Sequence, residues 1–473
     1  MEIFLNMSSN LIALLIFAVA ALIVYYVCPK SKRHIVLLLV SILFYGLCDL
    51  KMLAVLVVAA IFTWYCGLQI GKSHGKKWLD IGCVVLVGVL AFFKYNNFMI
   101  EGVNKLLQSL KIGDGSGILR IIMPLGISYY IFKAISYMVD IYRSKYSAEQ
   151  NVLIYSTYIL FFPEIMCGPI SRFDKFKTAL DEGMDYDNVK IQEGFYLILK
   201  GLFMKVVIAN RLSVYVGKIF ASPTSFTGIA LWLAAFFYSV QLYCDFAGYS
   251  SIAVGISRLF GMHYTENFKR PYFAHNIKEF WDRWHISLSS WLKDYIYIPL
   301  GGNRCSKLRQ KFNVLAVFFV SGIWHGVGFN YIIWGLYHGV LNILVPKKKK
   351  DADKCGWLKI LLNFALVTVG WIFFGTSSFT TAIQYIKSMF ANLTVSSSAI
   401  QSALFPLTSD NTCVSFFLIV MAFIFALFIR ELYEEKKDIS VSKPASIAWQ
   451  VFLLVSIFLF GEFGASAFIY ANF

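Results

Sequence analysis

A polytopic, all-α membrane protein is the fold class this sequence predicts, on three observations. Hydrophobic residues make up 58% of its 473 residues, and mean hydropathy is +0.64, well outside the range of soluble chains. The apolar residues fall in long runs with few charges inside them. Lys and Arg gather at the ends of those runs and give a formal net charge of +16. Basic flanks of this kind stay cytoplasmic and meet anionic headgroups, so the charge sets orientation and is not read as nucleic-acid binding.

Residues 11–27 form the first predicted span, with no basic segment before them and no small-residue cleavage site, hence a retained span and not a signal peptide. Runs 35–47 and 52–68 follow, closed by Lys72, Lys76 and Lys77. Positive-inside puts this loop and the earlier one at Lys30, Lys32 and Arg33 in the cytoplasm and the N-terminus outside. Run 78–93 goes out and 121–139 returns to Arg143 and Lys145. The next run, 153–165, is too short to span and has basic flanks on both sides, so it reads as re-entrant, broken around Phe161-Phe162-Pro163-Glu164. Runs 195–209 and 229–243 form an out-and-back pair. The basic, aromatic stretch 258–311 reads as a layer along the cytoplasmic interface. After 312–345, runs 358–374, 413–428 and 447–460 leave the C-terminus outside. The expectation is a single integral-membrane domain over 1–473, about ten membrane segments, with its motifs in 121–345.

Run 312–345 carries the most chemistry. Lys307, Arg309 and Lys311 precede it and Lys347 to Lys350 follow it, so both ends lie on one side of the membrane. It is too short for two spans of about 20 residues each. A helical hairpin with a broken tip fits, the break falling at Trp324-His325-Gly326-Val327-Gly328, where two glycines free the backbone. His325 then lies about 21 Å from Lys311 at about 1.5 Å per residue, deep in the hydrocarbon. An ionisable residue at that depth points to function. The plainer reading is a histidine that caps a broken helix. Backbone N–H groups freed at Gly326 and Gly328 are candidate oxyanion donors.

His338, within the returning arm, reads as a packing residue. Asp245, Asp282 and Asp294 are expected to pair with Arg283, Lys293 or Arg304, since unpaired charge is costly there. The nine scattered cysteines show neither metal-ligand spacing nor a disulfide framework, and no metal is expected. No Walker or GxGxxG loop points to a nucleotide fold.

Six motifs carry a family resemblance. They are MPLGIS at 123–128, FFP at 161–163 with Gly168-Pro169, YCDFAGYS at 243–250, FWDRWHISLS at 280–289, IPLGGNR at 298–304 and GIWHG at 322–326. With them the chain resembles the membrane-bound O-acyltransferases, the MBOAT family, in the bacterial branch that acetylates alginate, peptidoglycan and other exported polysaccharides. The resemblance implies a helical core around a tunnel, with His325 as the essential histidine and His285 as a second family histidine near the cytoplasmic mouth. It also implies that Tyr470, in the closing motif 468–473, carries the acyl group outward. One departure is visible: relatives often have Phe-Phe-Arg where this chain has Phe373-Phe374-Gly375.

The resulting expectation is an acyltransferase of the bacterial cytoplasmic membrane. It takes an acetyl group from acetyl-CoA and passes it, with His325 as base, to Tyr470. A separate extracytoplasmic transferase then places it on a polysaccharide. Arg304, Lys307 and Arg309 are candidates to meet the donor's phosphates, with Trp281 and Asn303 lining its channel; the plain alternative for the cations is positive-inside anchoring. One rival keeps the chemistry but takes D-alanine from a carrier protein to teichoic acid. Another is a flippase, since broken helices also mark transport paths.

Overall fold

The computed structural model describes residues 10–73, 75–110, 121–165, 167–182, 188–262, 264–345, 356–391, 412–437 and 447–464, together with 393, 396, 397 and 403. Among them every regular element is a helix, as lipid requires of a backbone that must satisfy its own hydrogen bonds. Four stretches, Lys30–Lys72, Lys76–Ser109, Gly228–Leu259 and Gly356–Gly375, are long and apolar enough to cross a membrane. The chain divides into two compact units, residues 1–187 with 256–264, and residues 188–255 with 265–472.

The first unit holds α1 (Leu11–Val27), α2 (Arg33–Ser73), α3 (Lys76–Ser109), α4 (Ile127–Tyr142), α5 (Val152–Leu160) and α6 (Phe173–Asp181). The two runs read at 35–47 and 52–68 are the halves of α2. They meet at Asp49, whose non-helical backbone (φ −160°, ψ 89°) breaks the helix. Its Oδ1 then accepts the Met52 N–H at 3.2 Å, capping the second half. The span read at 121–139 needs correction. Its helix starts only at Ile127, after Gly126 at φ +68°. Its 16 residues reach about 24 Å, short of a hydrocarbon core of about 30 Å. The α5 helix ends at Leu160, as the Phe-Phe-Pro run predicts. A buried ion pair joins this region to α4: Lys133 Nζ lies 2.6 Å from Glu164 Oε2, which also accepts from Ser171 Oγ at 2.7 Å.

In the second unit, α7 (Asn188–Leu202) continues through a π-helical turn, Phe203–Ala209, into α8 (Asn210–Ala221), and α9 is Gly228–Leu259. The stretch read as interfacial contains α10 (Ile277–Arg283), α11 (Ile286–Leu292) and a π-helical turn, Lys293–Tyr297. The hairpin follows as α12 (Lys307–His325) and α13 (Phe329–Leu344). The remaining helices are α14 (Gly356–Gly375), α15 (Phe379–Ala391), α16 (Thr412–Lys437) and α17 (Ile447–Phe460). The hairpin's arms touch backbone to backbone. A Cβ on Gly335 would fall 2.3 Å from the Phe318 carbonyl oxygen, so only glycine permits this approach.

Candidate active site

His325 is the last residue of α12; the chain turns at Gly326 and re-enters helix at Phe329. The helix thus runs one residue further into the tip than the glycines alone suggest. The imidazole is buried, 2% exposed, inside an aromatic cage. Ring centroids of Trp324, Trp334 and Phe374 lie 4.6, 4.9 and 5.4 Å away. The cage is itself braced by aromatic packing. Trp334 stacks on Trp371 at 5.9 Å, Trp371 meets Trp284 at 4.9 Å, and Trp281 meets Trp334 at 5.8 Å. Such pairs contribute about 0.5–1.5 kcal/mol each beyond their burial, and they hold the ring while excluding water.

His285 stands between α10 and α11 in the left-handed region, φ 46° and ψ 53°. This costs a non-glycine residue about 1–2 kcal/mol, so the surrounding contacts impose it. The ring is 1% exposed, and Phe246 lies edge-on at 4.7 Å and Phe268 stacked at 6.2 Å. Burial pushes its pKa down to about 3, so it is neutral at physiological pH. Its Nδ1 lies 3.3 Å from Asn267 Oδ1. Trp324 touches both histidines, at 6.4 Å from His285 and 4.6 Å from His325.

Beside this core lies a cleft of about 430 Å³, walled by α10, α11 and the hairpin. Trp281, Asp282, Ser289, Lys293, Phe318 and Ser321 line it. Ser321 is one helical turn before His325, and Trp281 packs against Trp334. A second cleft of about 390 Å³ shares Lys278, Tyr297 and Asn303 with the first and adds Lys307 and Lys311. Together they make a largely apolar recess that carries Lys278, Lys293, Lys307 and Lys311; neither His325 nor His285 lines it.

The expected site residues divide accordingly. Trp281 and Asn303 line the larger cleft and Lys307 the smaller, whereas Arg304 and Arg309 are exposed and line neither. Tyr470 lies outside the described residues. The pairing expected for Asp245 is corrected: it is salt-bridged to the buried Lys205. Arg283 binds Glu279 and Glu435, both at 2.7 Å. The oxyanion expectation also changes, because the Gly326 N–H is spent on the Gly322 carbonyl at 3.3 Å. A helix C-terminus frees carbonyls, not N–H groups, so the candidate backbone donors at this tip narrow to Gly328 and the first turn of α13. His338 is fully buried, edge-on to Trp281 at 5.3 Å and packed with Trp334 at 5.3 Å, and neither ring nitrogen has a hydrogen-bond partner among the described residues.

The Phe373-Phe374-Gly375 departure has a physical account. A Cβ on Gly375 would meet the Tyr238 ring at 2.5 Å, leaving no room for a long side chain. The segment is held instead by Asn330 Nδ2, which donates to the carbonyls of Phe373 at 3.2 Å and Thr376 at 3.0 Å. Sequence reading missed Asn267, Ser321 and Lys278; nothing in a single sequence separates them from other polar residues of a basic, aromatic stretch. Among the described residues no group of three His, Cys, Asp or Glu is placed to hold a metal ion.

Comparison with known proteins gives concordant findings. The model of "MBOAT, membrane-bound O-acyltransferase family" matches residues 143–345. The "probable alginate O-acetylase" of Pseudomonas putida is 35% identical over 393 residues, 81% of this chain and 80% of its own length. The peptidoglycan O-acetyltransferase of Helicobacter pylori is 33% identical, over 75% of this chain and 73% of its own. The teichoic acid D-alanyltransferase of Bacillus subtilis is 33% identical, over 55% and 70%.

Proposed function

Because this chain belongs to the membrane-bound O-acyltransferase family, we propose that it moves an acetyl group from acetyl-CoA to a hydroxyl destined for an exported or cell-surface polysaccharide. The observation that carries this reading is the recess between the interfacial helices and the hairpin. Its lysines, Lys278, Lys307 and Lys311, suit a phosphate-bearing donor, and of its lining residues Ser321 lies one helical turn before His325 and Trp281 packs on Trp334 of the His325 cage. In the reaction the acceptor oxygen adds to the thioester carbonyl carbon as His325 takes the hydroxyl proton. The C–S bond then breaks, and the proton passes from the imidazolium to the departing thiolate, giving an ester and free coenzyme A thiol. The imidazolium forms at the carboxyl end of α12, where the helix dipole favours positive charge. His285 is the second catalytic imidazole, and Tyr470 the first acyl acceptor, which hands the group to an extracytoplasmic partner transferase.

Thiol release from acetyl-CoA by the purified protein tests the donor, and His325→Ala tests the base. The variant should purify normally and lose about 10²- to 10⁴-fold in turnover. Near-wild-type turnover would remove His325 from the chemistry. Tyr470→Phe should bind donor but abolish transfer to glycan; normal glycan acetylation would make Tyr470 a belt tyrosine. The similarity to the teichoic acid D-alanyltransferase favours a second reading, D-alanyl transfer from a carrier protein. Transfer from a D-alanyl carrier with no acetyl-CoA turnover would decide for it.

A further inference from the structure

Asn267 is buried, 2% exposed, and its side chain makes two contacts that together settle a proton's position. Its Oδ1 accepts the Ser287 backbone N–H at 3.0 Å. An atom that accepts from an N–H is the amide oxygen, so the same oxygen faces His285 Nδ1 at 3.3 Å. An oxygen offers nothing to donate, so that nitrogen must carry the hydrogen. The imidazole is neutral, which leaves Nε2 with a lone pair and no hydrogen. That atom is buried and has no hydrogen-bond partner among the described residues. The rings packed around His285, Phe246 and Phe268 and Trp324, bear no titratable group that would rearrange it.

We infer that Asn267 is a positioning residue that fixes the tautomer of His285, so that Nε2 meets the substrate as a hydrogen-bond or proton acceptor and not as a donor. The inference rests on the proposed reading of His285 as catalytic, and narrows it. An oxyanion needs a donor; His285 in this tautomer is not one, and Gly328 with the first turn of α13 remains the candidate backbone source. Asn267 also has a scaffolding task, since its main-chain oxygen accepts the Ile286 N–H at 2.9 Å, and with Oδ1 it caps α11, whose preceding residue gives no side-chain cap. The experiment must separate the two tasks.

Thiol release from acetyl-CoA is measured with the full-length protein for Asn267→Leu, Asn267→Asp, His285→Ala and the double variant Asn267→Leu/His285→Ala. Asn267→Leu keeps the number and branching of the side-chain heavy atoms and removes the acceptor. It should lower kcat by about 10- to 100-fold, the usual cost of losing an orienting partner, with the KM for acetyl-CoA within about twofold. Asn267→Asp retains the acceptor and should restore most of the loss. The double variant should be no slower than His285→Ala, because residues that act through one another are not additive. Should Asn267→Leu fail to fold, Asn267→Ala carries the same expectations. Wild-type kcat in Asn267→Leu, no rescue by Asp, or multiplied losses in the double variant would overturn the inference while leaving His285 catalytic. Full activity in His285→Ala would overturn the reading on which it rests.

Discussion

Replacing Gly335 by Ala isolates the hairpin's contribution to catalysis, because it adds one methyl group where two backbones touch. The new Cβ would lie 2.3 Å from Phe318 O, 3.2 Å from Phe318 C and 3.3 Å from Gly322 Cα. Unstrained contacts to carbon begin near about 3.5 Å, so α12 and α13 must separate by roughly 1 Å. Overpacking of this kind costs about 1–3 kcal/mol. Alanine's better helix propensity offsets about 1 kcal/mol, so the net loss of stability should be small, about 0–2 kcal/mol. Activity should suffer more. His325 sits at the end of the arm that moves, and a misplacement of about 1 Å at a reacting group costs on the order of 10²-fold. The assay is thiol release from acetyl-CoA, beside thermal unfolding of the detergent-solubilised protein. Gly88→Ala in α3 is the control, since no atom lies within 4 Å of a Cβ there; it should leave turnover unchanged. If Gly335→Ala turns over like wild type, then either the arms do not touch as described or His325 tolerates displacement, and the argument from hairpin geometry fails.

Removing cations from the smaller cleft, as Lys307→Ala/Lys311→Ala, should raise the KM for acetyl-CoA several-fold with little change in kcat. That effect should shrink as ionic strength rises above about 0.15 M; a KM unchanged at low salt would return these lysines to anchoring alone. Asn330→Ala strands the buried carbonyl of Thr376 and leaves that of Phe373 only the Thr376 hydroxyl at 3.5 Å. It should destabilise by about 1–3 kcal/mol, read as a lower unfolding midpoint, and an unchanged midpoint would mean that this segment is held by something else.

The hairpin was legible because two signals agreed. Basic flanks fixed both ends on one side, and the glycines at 326 and 328 marked where a run too short to cross twice must turn. The break at Asp49 in α2 had a similar signal, a lone acidic residue between apolar runs. The partners of charged groups were not legible. Arg283 lies one residue from Asp282, yet its carboxylates are Glu279, one helical turn back, and Glu435, far along the chain. Asp245 pairs with Lys205, forty positions earlier. Hydropathy reports how deep a residue sits; it carries no information on which helix faces it. The start of α4 was misjudged for the same reason. Residues 121–126 are as apolar as a helix would be, but Gly126 adopts a left-handed conformation and delays the helix to Ile127.

These pairings show why so apolar a chain tolerates ionisable groups inside it. Lys133 is matched with Glu164 in the first unit and Lys205 with Asp245 in the second, and a buried ion unmatched would cost several kcal/mol. His285 breaks that pattern. It is neutral, so burial is affordable, and one nitrogen is occupied by Asn267 while Nε2 has no partner among the described residues. Leaving such an acceptor buried costs about 1–3 kcal/mol, and its left-handed backbone adds about 1–2 kcal/mol. A leucine at 285 would avoid the first cost, and glycine would avoid the second. Buried ring nitrogens without partners among the described residues also occur on His338; what sets His285 apart is that the bare acceptor coincides with a left-handed backbone and with the tryptophan that also packs on His325.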